Sequence, residues 1–287
     1  MTYQVHCTHI VRMNGLRLPD EFLERIQDFE AGRRQPPALK HASTVMLLRD
    51  RGGRLEVFMI RRVSSMAFAP GVYVFPGGGV DPRDSEYDQP GADWEAWGEV
   101  FGADAGLARE LVCAAVRETF EEAHVLLAGP SPDEIVKDTA PFEADRLGLL
   151  DRSHSLAGFL EARGLVLRAD LLRPWGHWIT PTVELKRYDT RFFVAALPEG
   201  QRALDVSTEA DTVVWIRPQD ALDQVKAGEM AMLPPTTAML NDLATFGSVA
   251  EVLAHQRKFT AHQPTAKIVD GIPYLVLPEE AEHRYGA

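Results

Sequence analysis

Cysteine is nearly absent, with only Cys7 and Cys113 in 287 residues. Two thiols cannot build the disulfide framework of a small secreted domain, so reduced cysteines and a cytosol-like compartment are expected. Long apolar runs are missing too, and none approaches the ~20 residues that a membrane-spanning helix needs. The opening, Met1 to His6, lacks the charged-then-apolar pattern of a secretory signal, and Tyr285-Gly286-Ala287 is no peroxisomal address. Cations are scarce. Lys plus Arg number 30 against 42 Asp plus Glu, a formal net charge of −12. So acidic a chain gains little from counterion release on a polyanion, which argues against nucleic acid as its main partner. A soluble, cytoplasmic protein with neither nucleic-acid nor membrane partner is the expectation. If its small-molecule substrate is itself an anion, something must reverse the local field, and a divalent cation held by carboxylates would do so.

What is present is an ordinary globular balance of 45% apolar and 25% charged residues, enough for a packed core. The pattern along the chain predicts an α/β fold. Residues 1–39 read as an N-terminal extension with a helix from Pro19 to Glu30. Strands are expected at Ala42 to Leu48, Leu55 to Arg61 and Val72 to Phe75, the first two joined as a hairpin. Residues 40–247 read as the main domain, interrupted near 82–103 by a polar Asp, Pro and Gly-rich loop and near 130–175 by short helical stretches. Asp104 looks like the N-cap of a helix reaching about His124. Further strands are expected at Lys186 to Leu197 and Thr212 to Arg217, and helices at Pro218 to Lys226 and Pro235 to Phe246. Residues 248–287 read as a C-terminal helix and tail, with a hairpin turn at Asp270-Gly271. Three strands, a helix, two strands and a helix suit an α/β/α sandwich with a mixed sheet, enlarged by insertions.

The strongest chemical signal is Arg117-Glu118-Thr119-Phe120-Glu121-Glu122. At helical spacing Glu118, Glu121 and Glu122 share one face, where three carboxylates repel one another unless a cation joins them. Hard oxygen donors in a cluster suit Mg²⁺ or Mn²⁺. Upstream, Phe75-Pro76-Gly77-Gly78-Gly79 ends a strand, and glycines there let backbone atoms approach a metal or phosphate unobstructed.

These two segments in this order, with Ala114-Ala115 ahead of Arg117, resemble the signature of the Nudix hydrolases. Gly78 and Arg117 stand 39 positions apart, further than in the family's compact box, and Asp81 to Gly102 fills the excess. Asp84 holds the nominal place of the acid that braces the family arginine, and His124 replaces the helix-ending glycine. Several segments are similar to one branch, that of the mammalian peroxisomal coenzyme A diphosphatase. They are His177-Trp178-Ile179-Thr180-Pro181, Arg187 to Phe193 and Met232-Leu233-Pro234-Pro235-Thr236.

The resemblance implies a Mg²⁺- or Mn²⁺-dependent hydrolase of nucleoside diphosphates linked to a second moiety. Coenzyme A or acyl-coenzyme A is the leading substrate. ADP-ribose or a nucleotide sugar is the nearest alternative, and a non-catalytic Nudix domain that senses a nucleotide metabolite is another. Gly78, Glu118, Glu121 and Glu122 are the implied metal ligands, and Glu118, Glu121 or Glu209 the proton acceptor. Arg62, Arg187 and Arg191 are the expected phosphate-binding cations, with Arg187 assigned to a remote 3′-phosphate. The oligomeric state, monomer or homodimer, is left open.

Overall fold

The computed structural model describes residues 15–63, 71–88, 92–204, 210–257 and 259–277. Its chain divides into two compact units, one of residues 42–176 and 191–259, the other of residues up to 41, 177–190 and those from 260. The chain begins in the smaller unit with β1 (Gly15–Arg17) and α1 (Phe22–Glu30). A hairpin of β2 (Leu39–Arg51) and β3 (Arg54–Arg62) follows, closed by Gly52 and Gly53. Both glycines have positive φ, 59° and 72°, the condition for a two-residue turn whose twist matches its strands. β4 (Tyr73–Val74) pairs with β3, and β5 (Gly77–Gly79) with the start of β2, where Ser43 lies opposite Gly78.

A 3-10 turn at Pro82–Glu86 leads to α2 (Trp94–Phe101) and α3 (Ala105–Ala123). The second insertion holds β6 (Ala128–Gly129), α4 (Glu143–Leu150), α5 (Leu156–Arg163) and β7 (Val166–Leu167). Then come β8 (Arg173–Ile179), β9 (Arg187–Ala196), β10 (Ala210–Ile216), α6 (Pro218–Ala227), α7 (Pro234–Leu243) and α8 (Val249–Ala254). β11 (Ala261–His262), β12 (Thr265–Val269) and β13 (Ile272–Val276) complete the described chain.

The main sheet has the order β10-β3-β2-β9-β8-β11. It is mixed, because β11 runs parallel to β8 whereas β10 and β2 run antiparallel to β3. Along β2 and β3, Val45, Leu47, Phe58 and Ile60 face one core, while the alternating Met46, Leu48, Val57 and Met59 are equally buried. A sheet with no wet face needs cover on both sides, and helices supply it. α3 is the central cover. Asp104 caps it, accepting from the Leu107 amide at 2.8 Å, and Leu111 to Val116 are wholly buried around its circumference. Cys113 lies in that run, and burial pushes its thiol pKa well up.

The segment expected to be a loop between Asp81 and Gly102 is partly helical. Asp93 caps α2 by accepting from the Ala96 amide at 3.0 Å, and Gly102 ends it with a φ of 63°. Trp97 and Phe101 of α2 both meet the Phe193 ring, so the insertion contributes to the core. In the smaller unit, β13 pairs with both β1 and β12, the latter hairpin turning at Asp270-Gly271, and Leu18, Phe22, Ile26 and Val183 form a small core. The N-terminal extension and the chain from residue 260 thus contribute to one unit, whereas α8 belongs to the larger one.

Candidate active site

Arg117, Glu118, Glu121 and Glu122 occupy the last two turns of α3, and β5 supplies the glycines opposite them. The Gly77 amide donates to Glu122 Oε2 at 2.8 Å. The Glu118 carboxylate lies directly over the Gly78 α-carbon, so that a Cβ there would overlap it. A Cβ on Gly77 would likewise meet the Ser43 carbonyl and the Thr44 hydroxyl. The glycine run is therefore a steric requirement of the site. Arg117 organises the rest. Its Nε and Nη2 grip Asp84 with two bonds of 3.0 Å, Nη2 also reaches the Gly79 carbonyl at 2.9 Å, and Nη1 reaches Glu118 at 2.6 Å and Glu121 at 3.3 Å.

Electrostatically the cluster is out of balance. Three carboxylates, those of Asp84, Glu118 and Glu121, share one buried guanidinium, and a fourth, Glu122, sits on the same helix with the Gly77 amide as its donor. Burial pushes Glu118 up to about 7 despite the pull of Arg117, and raises Glu121 and Asp84 as well. Burial works against charge on Arg117, yet its bonds to Asp84 and the field of its acidic neighbours outweigh that and raise its pKa. Asp81, which caps the 3-10 turn carrying Asp84, is held well below the usual carboxylate range by Arg83. Excess negative charge on hard oxygen donors is an arrangement that attracts a small divalent cation.

A family model described as the NUDT19 Nudix domain matches residues 105–243, which include the whole carboxylate helix. The chain is related to the Nudix hydrolases of the NUDT19 type. It is 31% identical over 203 residues to the Caenorhabditis elegans chain named nudix hydrolase 7, covering 66% of this chain and 56% of that one. It is 24% identical over 234 residues to the acyl-coenzyme A diphosphatase NUDT19 of Xenopus laevis, covering 69% and 62%. The chain therefore spans less than two thirds of the length of either relative. The crystal structure of a NUDIX hydrolase from Alicyclobacillus acidocaldarius superimposes with a TM-score of 0.65 at 27% identity, covering 77% of this chain and 98% of that one.

Two departures from the Nudix box seen in the sequence have structural answers. The long insertion leaves the brace intact, since Asp84 meets Arg117 across 33 positions. His124 takes the left-handed C-cap, with a φ of 60°. Its imidazole is fixed by Thr139 at 2.8 Å on Nδ1 and by Glu143 at 3.0 Å on Nε2, contacts a glycine could not make. Arg146 binds the same Glu143 and donates to the Glu121 carbonyl at 2.8 Å, so α4 secures the end of the carboxylate helix. Asp81 with Asp84 forms a capping box around Pro82, a signal visible as Asp81-Pro82-Arg83-Asp84 that the sequence reading did not use.

None of the three cations expected at the substrate is exposed. Arg187 belongs to the smaller unit and is buried there, donating to the Thr180 and Pro37 carbonyls at 3.1 and 3.3 Å, and burial lowers its pKa. Its guanidinium thus has a backbone role in this structure. Arg191 is buried in the larger unit, and Arg62 ends β3 with its Nε buried. Glu209 lies outside the described residues. Trp175 and Trp178 are 1% and 3% exposed and are packing residues.

Proposed function

We propose that this protein hydrolyses the diphosphate of nucleoside-diphosphate compounds, with coenzyme A or an acyl-coenzyme A as substrate. The observation that carries this reading is the Glu118 carboxylate poised over Gly78 beside Glu122, with Arg117 fixing the set. The named activity of the NUDT19 relatives supports the choice of substrate.

The residues present fit a divalent cation by their chemistry, being hard oxygens in charge excess. Among the described residues no three His, Cys, Asp or Glu side chains are gathered closely enough to hold an ion, and Arg117 and the Gly77 amide occupy oxygens of Glu118 and Glu122. In this reading Glu118, Glu122 and the Gly78 carbonyl hold Mg²⁺ or Mn²⁺, and Glu121 shares the ligation or orients water. The cation, when bound, lowers the pKa of water and offsets charge on the phosphoryl oxygens. One of Glu118, Glu121 and Glu209 accepts the proton of the attacking water. Water adds to a phosphorus and the anhydride P–O bond breaks, giving 3′,5′-ADP and 4′-phosphopantetheine from coenzyme A. A reducing, cytoplasmic compartment suits the free, buried Cys113, and the protein acts as a monomer or homodimer.

A diphosphate panel of coenzyme A, ADP-ribose and NADH, with and without Mg²⁺, tests this directly. Coenzyme A should be cleaved, in a metal-dependent manner, with the highest kcat/KM. A preference of more than about tenfold for ADP-ribose, worth roughly 1.4 kcal/mol in the transition state, would move the assignment to a nucleotide-sugar diphosphatase. No cleavage of any member would point to a sensor domain.

A further inference from the structure

Three non-glycine residues among those described have positive φ, and Arg152 is one, at 64°. It follows α4 in a tight turn, where the Arg152 amide donates to the Leu149 carbonyl at 3.0 Å and the His154 amide to the Gly148 carbonyl at 2.8 Å. The His154 ring closes over Gly148, where a Cβ would collide with it. Left-handed backbone is unfavourable for an L-residue because its Cβ crowds the carbonyl oxygen. Such strain persists where surrounding structure over-determines it, and it concentrates at ligand-binding sites.

The surrounding structure here is Arg83. Its Nη1 donates to the Arg152 and His154 carbonyls at 2.7 and 3.0 Å, while Nε and Nη2 grip Asp81 at 2.9 Å each. Asp81 caps the turn that carries Asp84, which holds Arg117. The loop 151–154 is therefore tied to the same turn that braces the carboxylates. Its backbone is fixed, but the Arg152 side chain is not sequestered. That side chain is 78% exposed, and it stands 4.0 Å from Asp81, which Arg83 already grips.

We propose that Arg152 forms a phosphate subsite at the rim of the carboxylate cluster, its guanidinium fork receiving oxygens of the substrate's diphosphate. The inference rests on the diphosphatase reading and names a residue that the expected set of Arg62, Arg187 and Arg191 did not include. Sequence could not single it out, since neither the clamp nor the backbone conformation is visible in Asp151-Arg152-Ser153-His154.

The test compares Arg152→Gly and Arg152→Lys with the wild type. Glycine accepts a φ of 64° at no steric cost, so the melting temperature of Arg152→Gly should hold or rise. Its affinity for inorganic pyrophosphate, titrated calorimetrically in excess Mg²⁺, should fall about tenfold or more, and the KM for coenzyme A should rise with kcat little changed. Lysine keeps a point charge without the fork and should lose less. Pyrophosphate binding as tight in Arg152→Gly as in the wild type, or undetectable in both, would overturn the subsite. If the wild type cleaves coenzyme A and Arg152→Gly does so with unchanged KM, the subsite fails while the diphosphatase reading stands. If no diphosphate is cleaved yet pyrophosphate binding depends on Arg152, the reading fails while the subsite stands.

Discussion

Arg117 serves three acids and a carbonyl with one side chain, and the stability of the cluster follows from that shared partner. Glu118 is its least comfortable member. Its carboxyl titrates at 4.5 when unfolded and about 7 when folded, so between these values the folded state holds more of the proton. Stability from this group is therefore present below pH 4.5 and lost as pH rises toward 7. In chelator, the unfolding free energy of the wild type relative to Glu118→Gln should fall across that window, measured by urea titration at several pH values. A pH-independent difference would contradict burial of an ionisable group there. Much of this was legible in the sequence, because Arg-Glu-x-x-Glu-Glu has a fixed helical geometry that tertiary structure only orients. Asp84 was assigned only by nominal spacing, since 33 intervening positions hide any local relation to Arg117. The burial of Arg187, the residue expected at a 3′-phosphate, against the Thr180 and Pro37 carbonyls was not legible, because a long cation on a strand carries no local mark of such partners.

At the scale of elements, the hairpin β2–β3 and the helix α3 were readable because propensity, apolar period and turn or cap residues agree. The elements missed include the sheet strand β8 and, in the first insertion, α2. Its segment reads as loop from its Asp, Pro and Gly content, yet Asp93 and Gly102 are a helix's start and stop, and Trp94, Trp97 and Phe101 repeat at helical spacing. Eight residues with a glycine inside have little intrinsic helicity, so the rings packed against the main core make this helix. Phe101→Ala should accordingly cost about 3–5 kcal/mol, read as a lower urea midpoint at unchanged slope. A loss under about 1 kcal/mol would mean that α2 merely rests on the domain.

Over the whole molecule, the charge of −12 opposes an anionic substrate at long range, and the carboxylate cluster deepens that opposition locally. A bound cation changes both together. Mg²⁺ or Mn²⁺ at a hundredfold excess over its Kd should add about 2.7 kcal/mol to stability, seen as a rise in Tm that chelator reverses and that Glu122→Gln diminishes. A Tm indifferent to both ions would argue against a preformed site. One further property of the fold concerns its chemical ageing. Cys113 sits one and a half turns of α3 before Glu118, wholly enclosed, with a thiol that burial keeps protonated. Oxidants and alkylators attack the thiolate, which this residue exposes only when the helix leaves the core. The rate of modification is then set by how often the helix opens, and the lesion falls on molecules that have already taken apart their own carboxylate cluster.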